Sequence, residues 1–355
     1  MDTERAQADA DGRWRAIRDR TRLGGRAAPP EEAPYVPTRD GGRLPSRPVP
    51  PQPTHGYSAP PAQGYAPTHG RAGSSPAPRP PPAPPAAVHD PAVQLLRRSF
   101  NGPRVLAFAN PKGGVHKTTA TVLAAATIGS VRGRGVLAWD DNELRGTLGL
   151  RAGSARHART IRHLMRELLE VEALYGTELA DRLDDFLRHA ADGTYDVLAG
   201  EENPRFAEKL DPYSVRRVLE LLRRTHEVIC VDTGNNVESA NWQTVLETAD
   251  QLVVTTVPRE DAAFTADWML DLLEEKGMGG LVANAVTLLS CPTPRPSPLL
   301  DDLARHFASR TRSVVVVPYD PALEPGSSID FPQLAPATRA AWLHAAAVMM
   351  APFAR

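Results

Sequence analysis

One succession of residues constrains this 355-residue chain more than any other. A short apolar run, Arg104-Val105-Leu106-Ala107-Phe108-Ala109, breaks into Asn110-Pro111-Lys112-Gly113-Gly114-Val115-His116-Lys117-Thr118-Thr119. An Ala-, Leu- and Thr-rich stretch then continues without a breaker to Ser130. The first run suits a buried parallel strand and the last a helix, so the Gly-rich segment sits where a phosphate-binding loop must sit. Gly113 and Gly114 let backbone N–H groups converge on phosphate oxygens, and the helix opening at Lys117 adds its positive dipole end. Lys117 supplies a point charge for β- and γ-phosphates, and the Thr118 hydroxyl is placed to ligate Mg²⁺. A nucleoside triphosphate is the ligand this arrangement implies.

The general phosphate-loop pattern, Gly, four residues, then Gly-Lys-Ser/Thr, fails here. Pro111 takes the first Gly position and His116 the second. What remains, Lys-Gly-Gly-x-x-Lys-Thr-Thr, resembles the deviant Walker A signature of the ParA/MinD ATPases, with Lys112 as its extra lysine. The resemblance implies that Pro111, Gly113, Gly114, Val115, His116, Lys117, Thr118 and Thr119 bind ATP. It also implies that Lys112 reaches the nucleotide of a partner subunit, so that ATP joins two copies into a homodimer.

Further matches follow in the family's order. Gly135-Val136-Leu137-Ala138-Trp139-Asp140-Asp141-Asn142 resembles the second strand and switch I, where Asp140 ends the strand and a second Asp two residues on positions the attacking water. Here that later position is Asn142. An amide can hydrogen-bond a water but cannot accept its proton, so hydrolysis is expected to be slow, unless Asp141 substitutes. Val228-Ile229-Cys230-Val231-Asp232-Thr233-Gly234-Asn235-Asn236 resembles the Walker B strand and switch II, with Asp232 holding Mg²⁺ through water. Taken singly, each acidic strand end reads equally well as a helix cap or a solvated loop carboxylate. On the base side, Leu281-Val282-Ala283-Asn284-Ala285-Val286 reads as a buried strand whose Asn284 would bond adenine, against the alternative of a core amide with local partners. Val314-Val315-Val316-Val317-Pro318-Tyr319-Asp320 ends the last strand with Pro318 and Asp320 in a loop resembling the family's adenine side, which favours ATP over GTP.

The resemblance covers residues 93–355. Within it, the runs from Asp140 to Gly149 and from Asp232 to Asn236 look less like partition ATPases than like an actinobacterial MinD-like branch. That branch includes the EspI-type ATPases of ESX (type VII) secretion loci, which also carry a long Pro-rich amino-terminal tail. The family implies a switch that positions a cargo, in chromosome partitioning or at the cell pole; the branch implies regulation of a secretion locus. A nucleotide-binding adaptor with little turnover is a further reading, motivated by Asn142 and His116. Tyrosine-kinase relatives are disfavoured because the carboxyl terminus lacks a tyrosine cluster.

His116 is the most informative departure. The residue before the loop lysine commonly takes a backbone conformation that glycine tolerates best, and His is among the less penalised substitutes. Tolerance is one reading. The other is an imidazole beside the phosphates that ties affinity to pH.

Composition bounds the rest. Lys and Arg number 41 against 42 acidic residues, which excludes a global polycation for nucleic acid. The two cysteines, Cys230 and Cys291, provide no disulfide framework and argue against iron–sulfur relatives, and Cys230 reads as a small buried hydrophobe. With no apolar run of about 18 residues and no signal-peptide pattern, a cytoplasmic protein is expected, with at most a peripheral contact to membrane or DNA. Residues 29–91 hold 20 of the 35 prolines and repeat Pro-Thr-His-Gly, so a disordered or polyproline II tail is expected over 1–92. Pro80 to Pro85 could dock a protein partner, although a passive spacer is the plainer reading. Asp11 to Leu23, Arg-rich around Trp14 and Ile17, reads as a fraying basic helix or a recognition helix.

Over 93–355, strand-like runs at 104–109, 135–139, 195–199, 227–232, 251–257, 281–286 and 314–317 alternate with helical stretches, Thr160 to Val171 among them. An α/β fold follows: a P-loop NTPase with a mostly parallel sheet and helices on both faces. Its ligand should lie at the carboxyl ends of the strands. Ala337 to Met350 reads as a final helix covering the sheet rather than a membrane anchor, because Arg339 is its only cation.

Overall fold

The structure, a computed structural model, describes residues 90–133, 135–142, 146–154, 159–201 and 210–354. The chain divides into compact units 1–84 and 85–355, and the described residues all belong to the second. The expectations for the Pro-rich tail and for a helix over 11–23 lie outside the described residues.

Helix α1 (Pro91–Arg97) straddles the boundary expected at 92/93. Asp90 starts it by accepting a hydrogen bond from the Ala92 N–H at 2.8 Å, with Pro91 preset for the first turn. The chain continues as β1 (Arg104–Ala109), α2 (Lys117–Arg132), β2 (Val136–Asp141), α3 (Leu148–Arg151), α4 (Ile161–Glu172) and α5 (Gly176–Asp184). Then come β3 (Arg188–His189), β4 (Asp196–Leu198), α6 (Pro212–Arg223), β5 (Val228–Thr233), α7 (Ala240–Thr248) and β6 (Gln251–Thr256). The last elements are α8 (Glu260–Glu275), α9 (Gly279–Ala283), β7 (Val286–Ser290), α10 (Leu300–Ala308), β8 (Ser313–Val317) and α11 (Pro336–Met350).

Eight strands form one sheet in the order β3-β4-β2-β5-β1-β6-β7-β8, and all pairs are parallel except the two-residue β3 against β4. Residues 105–109 and 136–141 are buried throughout, as parallel strands covered on both faces require. This continuous burial is why those strands read as unbroken apolar runs. Strand β1 lies between β5 and β6, so the loop that follows it opens at the middle of the sheet, at the carboxyl end. At the far edge, β8 carries Val316 with 40% of its surface exposed.

The expected strand over 281–286 is corrected. Residues 279–283 form α9, and β7 begins only at Val286. Asn284 closes the helix: its backbone N–H and its Nδ2 both donate to the Gly280 carbonyl, at 3.3 and 2.9 Å. It is exposed and lies before the first residue of β7, at the amino end of the sheet. Asn284 therefore stands at the opposite end of the sheet from the Lys-Gly-Gly loop, which does not fit the adenine contact expected of it.

Helix α2 lies close to its neighbours because its inner face is made of small residues. Ala120, Ala124, Ala125 and Ala126 are buried, and a Cβ on Gly129 would meet the Thr194 carbonyl oxygen at 2.2 Å. The helix stops at Gly133, whose φ of 79° is the left-handed cap that glycine accepts. Helix α11 packs on α1, α2 and β8, with Trp342, Ala345, Ala346, Met349 and Met350 in the core. Its apolar face is thereby occupied by protein, as expected for a helix covering the sheet. Among the described residues no helix is long and apolar enough to cross a membrane.

Candidate functional site

The loop between β1 and α2 is pinned at its first residue. Asn110 is fully buried, its Nδ2 donates to the Thr255 and Ala262 carbonyls at 2.8 and 3.4 Å, and its Oδ1 accepts from the Lys112 N–H at 2.9 Å. One amide thus ties the loop to β6 and α8 while bending it over Pro111. Val115 anchors the other end among Val257 and Ala262. Gly114 has φ of 74°, and His116 has φ of 66° and ψ of 26°, the only non-glycine in the left-handed region among the described residues. The expectation of a glycine-like conformation before Lys117 is met.

The side chains within this frame form a closed knot. Lys117 Nζ donates to the Lys112 carbonyl at 3.1 Å and, in a short contact, to Asn235 Oδ1. Thr118 Oγ1 donates to Asp232 Oδ2 at 2.5 Å. Asp232 and Asp140 are register partners on β5 and β2. Burial and the neighbouring Asp140 push the Asp232 carboxyl well above the ordinary carboxylate range, against the Thr118 hydrogen bond and the Lys117 charge. Burial likewise holds the Lys117 ammonium below its ordinary value, although Asp232 works the other way. The pair therefore sits in a strongly desolvated place with its charges poorly satisfied.

Asp232 Oδ1 is buried without a hydrogen-bond partner among the described residues. An orphaned carboxylate oxygen whose sister oxygen touches the Thr118 hydroxyl is a donor set that fits a hard divalent cation such as Mg²⁺. Thr118 and Asp232 are the residues that would hold it.

The remaining candidates have distinct surroundings. Lys112 Nζ meets Asp261 Oδ2 at 3.2 Å with both side chains about half exposed. Arg259 binds the same carboxylate, at 3.0 and 2.6 Å. Asp140 accepts from the Asn142 N–H at 3.2 Å and from the Leu148 N–H at 2.9 Å, which ties the end of β2 to the head of α3. Asp141 ends β2 opposite Thr233 and is buried, while Asn142 is half-buried.

A cavity of about 160 Å³ opens beside the loop, walled by His116, Thr119, Cys291, Pro318, Tyr319, Asp320 and Trp342 among others. Asp320 shapes this wall. Burial works upward on its carboxyl, but the N–H groups of Ala322 and Ala335, at 3.0 and 2.9 Å, outweigh it and hold the group ionised. Burial, with Arg151 as a second cause, lowers the His116 pKa, so the imidazole is neutral at neutral pH. That favours the tolerance reading of His116 over a charge placed beside the phosphates.

The loop residues, Asp232 and the Pro318–Asp320 segment are thus brought to one end of the sheet, and Asn284 is not. Three participants were missed. Asn110 and Asn235 lie inside the quoted runs but carry no local pattern that distinguishes them, and Arg151 arrives from a four-residue helix with no motif.

No known family profile matches the chain. In sequence it is 27% identical over 265 residues to the ESX-1 secretion-associated protein EspI of Mycobacterium tuberculosis, a match covering 73% of this chain. The chain's match spans only 38% of the length of that relative. Among solved structures, a ParA family ATPase from Chlorobium tepidum aligns with TM-score 0.57 at 19% identity, over 69% of this chain and 98% of that one. The septum site-determining protein MinD from Pyrococcus horikoshii, complexed with Mg-ADP, aligns with TM-score 0.52 at 18% identity, over 68% of this chain and 94% of that one. With its mostly parallel sheet, its Lys-Gly-Gly loop after the central strand and an aspartate one residue before the end of the adjacent strand, this chain has the fold of the ParA/MinD-type P-loop ATPases.

Proposed function

We propose that this protein is an ATP-binding, slowly hydrolysing switch that dimerises on ATP and so positions or regulates a cellular cargo. The carrying observation is the knot of Lys117, Thr118, Asp232 and Asn235 at the mouth of α2, a set of donors and one orphaned carboxylate oxygen with the chemistry for triphosphate and Mg²⁺. In this reading Gly113, Gly114 and the first N–H groups of α2 cradle the phosphates. Lys117 exchanges Asn235 and the Lys112 carbonyl for phosphate oxygens. Mg²⁺, when bound by Thr118 and Asp232, neutralises charge on the terminal phosphates.

Lys112 is suited to cross to a partner because little holds it back. Its ion pair with Asp261 is half exposed, of a kind worth about 0–1 kcal/mol, and Arg259 remains on Asp261 when Lys112 leaves. ATP favours the dimer only through contacts absent from the monomer, and Lys112 is their source. Asn142 can orient a water without taking its proton, which supports slow turnover, with Asp141 as the candidate base.

The cargo has two readings. The fold supports partitioning or cell-pole positioning, with a transient surface contact to DNA or membrane from a cytoplasmic protein. The similarity to EspI supports a regulatory ATPase of a secretion locus, its Pro-rich tail engaging a protein partner.

The test uses the full chain. Equilibrium titration with magnesium should show uptake of ATP and ADP in preference to GTP, and phosphate release should be slow but measurable. Lys112→Ala should leave nucleotide uptake nearly unchanged while abolishing ATP-dependent dimerisation in light scattering. No uptake of any adenine nucleotide would end this reading, and an unchanged dimer fraction would remove the role given to Lys112.

A further inference from the structure

Arg151 has an unusual position for a cation. It ends α3, is half-buried, and forms no salt bridge among the described residues. Among the described residues its guanidinium donates only to neutral oxygens: the Ser327 carbonyl at 2.6 Å, the Thr119 hydroxyl at 3.1 Å and the Leu323 carbonyl at 3.2 Å. Burial pulls its pKa downward with no acid to compensate. A half-buried guanidinium without an anion favours a site that an anion completes. It lines the cavity beside the phosphate loop.

The order of residues around that cavity says which anion. Lys117 with Asn235, and Thr118 with Asp232, mark the end where the β- and γ-phosphates and the cation belong. Neither Lys117 nor Thr118 lines the cavity, whereas His116 and Thr119 do, together with the base-side loop at Pro318 to Asp320. Passing from Asn235 across Lys117 to Thr119 therefore runs from the terminal phosphate toward the nucleoside. The phosphate joined to the nucleoside falls over the first turn of α2, where the Thr119 N–H is among the groups without a helical partner. Arg151 is already within hydrogen-bond distance of the Thr119 side chain.

We infer that Arg151 binds the α-phosphate of the nucleotide, completing from α3 a phosphate site that the loop alone leaves short of charge. This rests on the nucleotide reading given above and deepens it. The same residue joins both sides of the site. Asp140 accepts from the Leu148 N–H at the head of α3, and the Arg151 carbonyl accepts from the Ile329 N–H at 2.8 Å. Helix α3 is thus tied at its head to Asp140 and at its end to the segment after Leu323, whose Leu323 and Ser327 carbonyls hold the guanidinium.

The experiment is titration of the full chain with MgATP, MgADP and the two diastereomers of adenosine 5′-(α-thio)diphosphate. The wild type should bind one diastereomer more weakly than the other, because sulfur replaces the oxygen that Arg151 contacts. Arg151→Gln should weaken ATP and ADP by the same factor, about tenfold, and lose the discrimination between diastereomers. Arg151→Lys guards against a folding defect: it keeps the charge, and should bind ADP within about threefold of wild type but discriminate less. Unchanged affinity in Arg151→Gln, weakening of ATP alone, or retained discrimination in either variant would overturn the assignment, as would a wild type blind to the sulfur. A wild type that takes up no adenine nucleotide would instead overturn the nucleotide reading itself.

Discussion

His116 offers the sharpest test of the loop's backbone. At φ 66° and ψ 26° it occupies the left-handed region, which disfavours an L-residue by about 1–2 kcal/mol and a β-branched one by more. His116→Gly relieves that strain but frees the unfolded chain, an opposing effect of about 0.4–1 kcal/mol. The two nearly cancel, so the melting temperature should stay within about 3 °C of wild type for a domain of this size. Nucleotide uptake should be kept or strengthened, because the loop's conformation is then the one glycine adopts without help. His116→Val inherits the full penalty and should melt several degrees lower, at about 2–4 °C per kcal/mol. Because burial and Arg151 hold the imidazole neutral, the ratio of wild-type to His116→Gly affinity should be flat between about pH 7 and pH 8. Titration calorimetry and thermal melting read all three. Loss of uptake in the glycine variant, or a valine variant as stable as wild type, would refute the backbone argument.

Asn110→Ala should lower stability by about 1–3 kcal/mol in denaturant unfolding, since it strands the Lys112 N–H and the Thr255 carbonyl together; a change below about 0.5 kcal/mol would show the pin to be dispensable. Gly129→Ala forces a Cβ to within 2.2 Å of the Thr194 carbonyl oxygen and should destabilise by about 1–3 kcal/mol, with neutral behaviour in the same assay counting against the close approach of α2. Asp232→Asn should melt higher than wild type near neutral pH in chelator. The raised carboxyl pKa means that the stability Asp232 contributes is present at acid pH and lost as pH rises from the ordinary carboxylate value toward neutrality. The gap should close toward about pH 4, and a gap independent of pH would contradict the buried-carboxylate account.

The parallel sheet was legible because strands covered on both faces have few polar positions; Val228 to Asp232 and Val105 to Ala109 read as strands for that reason. The same reasoning misread 281–286. An apolar run of six residues has no period long enough to separate a strand from a helical turn, and the Gly279-Gly280 pair, which opens α9, looks like a loop. The site divides similarly. Lys112 to Thr119 form one local motif and were readable as such. The contact from Asn235 to Lys117 spans 118 positions, and that from Arg151 to Thr119 spans 32, distances at which only the fold decides what meets. Asp320 illustrates a third case: its place in the base-side loop was visible, while its commitment to the Ala322 and Ala335 N–H groups was not.

The two borders of the sheet meet the hazard of intermolecular strand addition differently. On one side the antiparallel ribbon at Arg188–His189 is too short to template a partner. On the other, β8 presents a Val-rich ladder, Ser313–Val317, with Val316 partly bare. There the fence is the strand's own end: Pro318 closes it with a residue that has no N–H to donate, while the Arg312 guanidinium is turned inward onto Gln251 and the Asn284 and Val348 carbonyls. An incoming strand would find at most five residues to zip against, which keeps this border from growing into a fibre.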